Sequence, residues 1–138
     1  MGTNDSAGPN WSKKDTLVPE LQAMIDDFSA LPSKPNICIC LPVKIFGTQY
    51  GHDDTRLTQE VFPLLTAVAK KNDLAVIDLH GILQPKHCLA SNLHPNAEGA
   101  KLIAQTIAAA ITGTNDYETI SKWGCSLDVD VETPRWGV

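Results

Sequence analysis

Apolar residues recur along the chain in two rhythms. Leu17, Leu21, Met24, Ile25, Phe28 and Leu31 fall at three- and four-residue intervals, a spacing that predicts an amphipathic helix from about Lys14 to Ala30. Pro32 and Pro35 follow and cannot continue it. The run Asn36-Ile-Cys-Ile-Cys-Leu41 has no polar alternation, which suits a strand buried on both faces of a parallel sheet. A loop with two glycines and two aspartates covers Phe46 to Asp54. Leu57, Val61, Leu64, Leu65 and Val68 then predict a second helix to about Lys71, with Pro63 near its start or as a kink. Leu74 to Leu79 reads as a second buried strand. Leu102, Ile103, Ile107, Ala110 and Ile111 share one face of a third helix from Pro95 to Ile111, with Pro95 at its first position and Gly113 as its stop.

This order, helix–strand–helix–strand–helix, predicts an α/β fold built as a three-layer αβα sandwich with right-handed crossovers. Two strands make a narrow parallel sheet, so further strands are expected to precede residue 1. After Gly113 the periodicity is lost. The segment Thr114 to Val138 holds Trp123, Cys125, Trp136 and an acidic alternation at Asp128, Asp130 and Glu132, and is expected to be a tail with a short extended piece at Ser126–Val131.

Composition narrows the classes. At 138 residues with 43% apolar and 20% charged side chains, the chain is of ordinary globular type. Sixteen acidic against eleven basic groups leave a net charge of −5, which disfavours a nucleic-acid partner. The longest apolar segment, Leu102 to Ile111, holds ten residues and includes Gln105 and Thr106. A membrane span needs about 20. The first five residues, Met-Gly-Thr-Asn-Asp, lack the basic and apolar regions of a signal peptide. Cys38, Cys40, Cys88 and Cys125 do not have zinc-site spacing, and Cys38 and Cys40, two apart on a strand, point the same way. Reduced thiols packed as small hydrophobes are expected. No cofactor is implied.

The strongest chemical signal is Leu93-His94-Pro95-Asn96-Ala97-Glu98-Gly99. A histidine just before a helix N-terminus meets the positive end of the helix dipole, which disfavours imidazolium and suits a general base. The same residues also fit a plain helix start. His52, Asp53 and Asp54 are adjacent on a loop, which makes them poor metal ligands together, and Asp53 or Asp54 better suits a helix N-cap. Asp78, at the end of the second strand, suits a hydrogen bond to loop backbone, with a substitute catalytic acid as the alternative. His80 and His87 flank the loop after that strand, where open α/β sheets place their sites. Trp11 is expected beside the first helix, with stacking on a sugar ring as the alternative.

His94-Pro95-Asn96-x-x-Gly99 before an alanine-rich helix resembles the last sequence block of the SGNH, or GDSL, hydrolases. Gly2-Thr3-Asn4-Asp5 resembles their third block, although the same tetrapeptide recurs at Gly113 to Asp116. Leu41-Pro42-Val43-x-x-Phe46-Gly47 is similar to the sialate O-acetylesterase-like, or carbohydrate-esterase-like, branch. The resemblance covers roughly residues 1–112. It implies a flavodoxin-like fold and a serine esterase acting on a small-molecule or carbohydrate ester. In that family His94 would be the catalytic base and Asn4 an oxyanion donor, the two facing one pocket.

Two departures stand out. No Gly-Asp-Ser block and no Gly-x-Ser-x-Gly elbow occur in the chain. The family's aspartate three residues before the histidine is Ser91 here. The chain is therefore expected to be the C-terminal portion of such an enzyme, inactive by itself. The alternatives are a non-catalytic binding module on the same fold and a small complete domain using Ser6 with His94.

Overall fold

Residues 1–113 are described by the computed structural model of the protein. The expected tail, with Cys125 and both of its tryptophans, lies outside the described residues. The chain divides into two compact units, Met1–Gly81 and Ile82 onward.

In the first unit, a short helix α1 (Gly8–Trp11) leads into α2 (Lys14–Ala30). The bounds of α2 are those its periodicity predicts, even with Pro19 inside it. Its buried stripe is narrower than expected. Leu17, Leu21 and Ile25, four residues apart, are buried, while Met24, Phe28 and Leu31 are exposed. Strand β1 (Cys38–Leu41) pairs in parallel with β2 (Ala75–Asp78), from Cys38 opposite Ala75 to Leu41 opposite Asp78. The amide of Leu79 extends the ladder to the Leu41 carbonyl at 3.3 Å.

Both strands are shorter than their apolar runs, and they alternate. Ile39, Leu41 and Ile77 are buried, whereas Cys38 and Cys40 are half-buried and Val76 is exposed. The expected burial on both faces is thus not found along these strands, because a side-chain period of two sends alternate residues to opposite faces.

Between the strands the chain forms α3 (Asp54–Arg56), a π-type stretch (Leu57–Val61) and α4 (Phe62–Lys71) without a break. The Phe62 amide donates to the Leu57 carbonyl, five residues back. Pro63, placed in the first turn of α4, has no N–H to offer. A π turn immediately before it takes up the altered ladder. Leu57, Val61 and Leu65 from this continuous rod are at most 1% exposed and form the centre of the unit's core. Full burial of each stabilises by about 1.5–3 kcal/mol.

In the second unit, a 3₁₀ turn (Pro85–His87) leads to an isolated antiparallel bridge between Cys88 and Pro95, followed by α5 (Ala97–Thr112). Gly113 ends α5 in the left-handed conformation at φ 66°, as expected. The helix start differs from expectation. Pro95 is held in the bridge rather than at the first helical position, and Asn96 is the N-cap. The face of α5 also shifts. Gln105, Ala109 and Ala110 are buried, while Ile111 is 56% exposed.

Among the described residues the architecture is thus α/β, mixed helix and strand with a two-stranded parallel sheet.

Candidate active site

Gly2-Thr3-Asn4-Asp5 folds as a closed turn. The Asp5 carboxylate accepts from the Gly2 amide at 2.6 Å, the Ser6 amide donates to the Gly2 carbonyl at 2.9 Å, and Ser6 Oγ donates to the Thr3 carbonyl at 2.7 Å. Position 2 requires glycine. Its φ is 106°, and a Cβ there would stand 2.6 Å from Pro42 Cγ. Ser6 is fully buried with its hydroxyl used inside the turn, so it presents no nucleophile. The carbonyl of Asn4 accepts from Asn10 Nδ2 at 2.8 Å and from the Ala7 amide at 3.2 Å. Its backbone is therefore fixed while its side chain stays exposed.

That exposed amide meets His52. Asn4 Oδ1 lies 3.4 Å from His52 Nε2, and His52 Nδ1 lies 2.8 Å from the Gln49 carbonyl. Two successive left-handed residues, Tyr50 at φ 59° and Gly51 at φ 75°, turn the chain back so that the ring reaches this carbonyl. Arg56 ties the two loops together, its Nη1 donating to the carbonyls of Ser6 and Gly51. Asp53 is the N-cap of α3, accepting from the amides of Thr55 and Arg56, the role expected for it.

His94 sits on a turn whose backbone is well held. The Leu89 amide donates to the His94 carbonyl at 2.8 Å, and the Asn92 amide donates to the Leu89 carbonyl at 2.8 Å. Asn92 adopts φ 56°, which asparagine tolerates. Asn96 Oδ1 accepts from the Gly99 amide at 2.9 Å, while its Nδ2 donates to the Lys86 carbonyl at 2.8 Å. The Asn96 amide donates to the His87 carbonyl at 2.9 Å. A Cβ on Gly99 would collide with that same carbonyl, so glycine is needed where α5 passes the 3₁₀ turn. The His94 side chain is exposed. Within its own unit no described residue hydrogen-bonds its ring. Ser91 Oγ accepts from the Leu93 amide at 3.4 Å and so serves the local turn.

The remaining histidines are engaged. His80 Nε2 lies 3.0 Å from Asp54 Oδ1, which also accepts from the Ile45 amide at 2.9 Å, and the ring meets Phe62 edge-on at 5.3 Å. This pair fastens the loop after β1 to the loop after β2. The His80 amide donates to Asp78 Oδ1 at 2.9 Å, the backbone role expected for Asp78. His87 is buried. It accepts at Nδ1 from the Gln84 amide at 3.1 Å, and its Nε2, which must then carry hydrogen, points toward Glu98 Oε1 at 3.8 Å. Trp11 donates through Nε1 to Glu60 at 2.9 Å, with Lys14 Nζ 5.9 Å from its ring centre.

Comparison with known proteins adds one relationship. Over 130 aligned positions the chain is 32% identical to an acetylxylan esterase of Xylanibacter ruminicola. The match covers 80% of this chain. The chain is a relative of a carbohydrate esterase. It spans about a quarter of that relative's length, since the match takes in 27% of it. No family model matches the chain, and no solved structure matches it.

Of the sequence-derived candidates, Asn4 is an exposed side chain on a rigid turn in the first unit, and His94 is its counterpart in the second. His52 and Arg56 were not assigned to the Asn4 turn from the sequence. A contact across 48 residues leaves no local signal in a single chain. Cys38, Cys40 and Cys88 are free thiols. Burial pushes the Cys40 thiol up, and the neighbouring Cys38 adds to the shift. Burial also raises Cys88.

Proposed function

We propose that the chain is the histidine-bearing portion of an SGNH/GDSL-type ester hydrolase, with the three-layer flavodoxin-like fold of that family. Its substrate class is a carboxylic ester, an O-acetyl group on a carbohydrate above all. The observation that carries the carbohydrate-ester reading is the 32% identity to an acetylxylan esterase across most of the chain. The SGNH/GDSL assignment rests on the Gly2-Thr3-Asn4-Asp5 and His94-Pro95-Asn96-x-x-Gly99 motifs. The exposure of both Asn4 and His94 on well-held turns supports the proposal.

In this reading His94 removes the proton from a serine hydroxyl as that oxygen attacks the ester carbonyl. The Asn4 amide donates to the oxygen that becomes negative in the tetrahedral intermediate, where a donor already in place is worth most. The imidazolium gives that proton to the departing alkoxide, which leaves as the alcohol. Neutral His94 then takes a proton from the water that attacks the acyl-enzyme and returns it to the serine oxygen as the carboxylic acid is released. Ser91 stands at the acid position and supplies no charge to balance the imidazolium. No Gly-Asp-Ser block lies in the 138 residues, so the nucleophile has to come from other sequence, and the chain by itself is expected to be inactive.

One observation favours a second reading, a non-catalytic binding module derived from the same fold. Ser91 Oγ accepts from the Leu93 amide at 3.4 Å, and the His94 ring has no hydrogen-bond partner among the described residues of its unit.

Hydrolysis of aryl acetates and acetylated xylan by the purified chain tests the division of labour. The expected rate equals that of a His94→Ala control. Rapid turnover that disappears with His94→Ala would mean that the nucleophile lies within these 138 residues.

A further inference from the structure

The Gln49 carbonyl can only accept a hydrogen bond, so the 2.8 Å contact from His52 Nδ1 requires hydrogen on that nitrogen. His52 Nε2, the atom facing Asn4, therefore changes character with ring charge: a lone pair when neutral, an N–H when protonated. An asparagine amide offers an acceptor at one end and donors at the other. A protonated ring is matched by Oδ1 facing His52, the arrangement seen at 3.4 Å, with both Nδ2 hydrogens directed away. A neutral ring is matched only by the rotated amide, with Nδ2 toward His52 and Oδ1 outward.

We propose that His52 is a positioning residue for Asn4, and that its protonation sets which end of the Asn4 amide faces outward. The consequence for ester chemistry rests on the function proposed above: an outward Nδ2 can donate to an oxyanion, and an outward Oδ1 would repel it. The backbone on both sides of the pair is held in place. The Asn4 carbonyl is held by Asn10 and Ala7, Arg56 clamps the two loops at Ser6 and Gly51, and the paired left-handed residues Tyr50 and Gly51 fix the His52 ring. Within the first unit, His52 is the described hydrogen-bond partner of the Asn4 side chain.

Among the described residues of the first unit, the charged and titratable groups named around the pair are Asp5 on the Asn4 turn, Asp53 beside His52, Arg56 with its ion-pair partner Glu60, and Tyr50, whose ring meets His52 edge-on at 6.5 Å.

The test is a pH titration of the full chain by nitrogen-15 NMR between pH 5 and 8, where histidines change charge. The Asn4 Nδ2 proton pair is followed beside the His52 Cε1 proton. The expected result is one shared midpoint, with the whole pH-dependent displacement of the Asn4 pair lost in His52→Ala. A titration arising from Asp5 or Asp53 would survive that change. His52→Phe, which keeps a ring, is measured beside it and is expected to show the same loss. His80→Gln is expected to leave the Asn4 titration intact. A static Asn4 pair while His52 titrates, or an Asn4 titration that persists without the imidazole, overturns the proposal. None of these signals requires ester turnover, so a chain that hydrolyses nothing can still support this coupling, and an active one can still refute it.

Discussion

The turn bearing Asn4 and the turn bearing His94 are built to different degrees. Around Asn4 the backbone is fixed and the side chain itself has a partner in His52. Around His94 the backbone is equally fixed, by the Leu89 amide, the Cys88–Pro95 bridge and the Asn96 cap. The imidazole, however, meets no hydrogen-bonding group of its own unit among the described residues, and Ser91 is turned into the Leu93 amide. Backbone scaffolding and side-chain electrostatics are thus separable. In the reading proposed above, the His94 turn keeps its backbone geometry although no described carboxylate of its unit hydrogen-bonds the ring.

A chimera in which this chain replaces the matching stretch of the acetylxylan esterase would give that difference a readout. The largest expected effect is Ser91→Asp in the chimera. A carboxylate three residues before His94 should raise kcat by on the order of 10³-fold, because neutralising the acid of a serine triad costs about 10⁴. Acetate release under saturating substrate measures it. An unchanged or lower kcat would mean that the missing charge does not limit the His94 turn.

Gly99→Ala should come next. The new Cβ would run into the His87 carbonyl, and the backbone of the His94 turn would have to shift, at a cost of about 3 kcal/mol. A urea unfolding midpoint unchanged from the wild type would show that the turn is looser than described. Arg56→Ala removes the guanidinium shared by the Ser6 and Gly51 carbonyls and should cost about 2 kcal/mol by the same assay. If it costs nothing, the Asn4 loop is held by other contacts. The smallest effect is expected for Asn96→Ala. Loss of the cap on α5 should destabilise by about 1 kcal/mol, and a larger loss would assign more of the turn to the bonds with Lys86 and Cys88.

The parts legible in the sequence are those with a local cause. Helix α2 follows from its apolar spacing, Gly113 from the need for a left-handed stop, and Asp53 from the preference of carboxylates for unpaired helix amides. What was misread depends on partners distant in the chain. Pro95 looks like a first helical residue until Cys88 captures it in a bridge. The strands look buried on both faces because apolar runs do not say how wide the sheet is. The Leu57–Val61 stretch reads as ordinary helix, and its π geometry emerges beside Pro63. Asn4 and His94 are singled out by motif, and the structure shows both exposed on well-held turns. The pairings of His52 with Asn4 and of His80 with Asp54 join residues 48 and 26 positions apart, beyond the reach of periodicity.

The thiols offer a smaller check on the first unit. Burial and the nearby Cys38 push the Cys40 thiol up from its ordinary value, so its alkylation by iodoacetamide at pH 8 should be slower than that of free cysteine. A faster rate would contradict the packing of β1.

The most direct measurement of the central claim is kcat/KM for acetate release by the chimera against the same chimera carrying His94→Ala. A general base contributes about 10²–10⁴-fold, so a loss in that range with the fold intact is the predicted result. Equal activity of the two proteins would show that His94 is not the base and would contradict the esterase account.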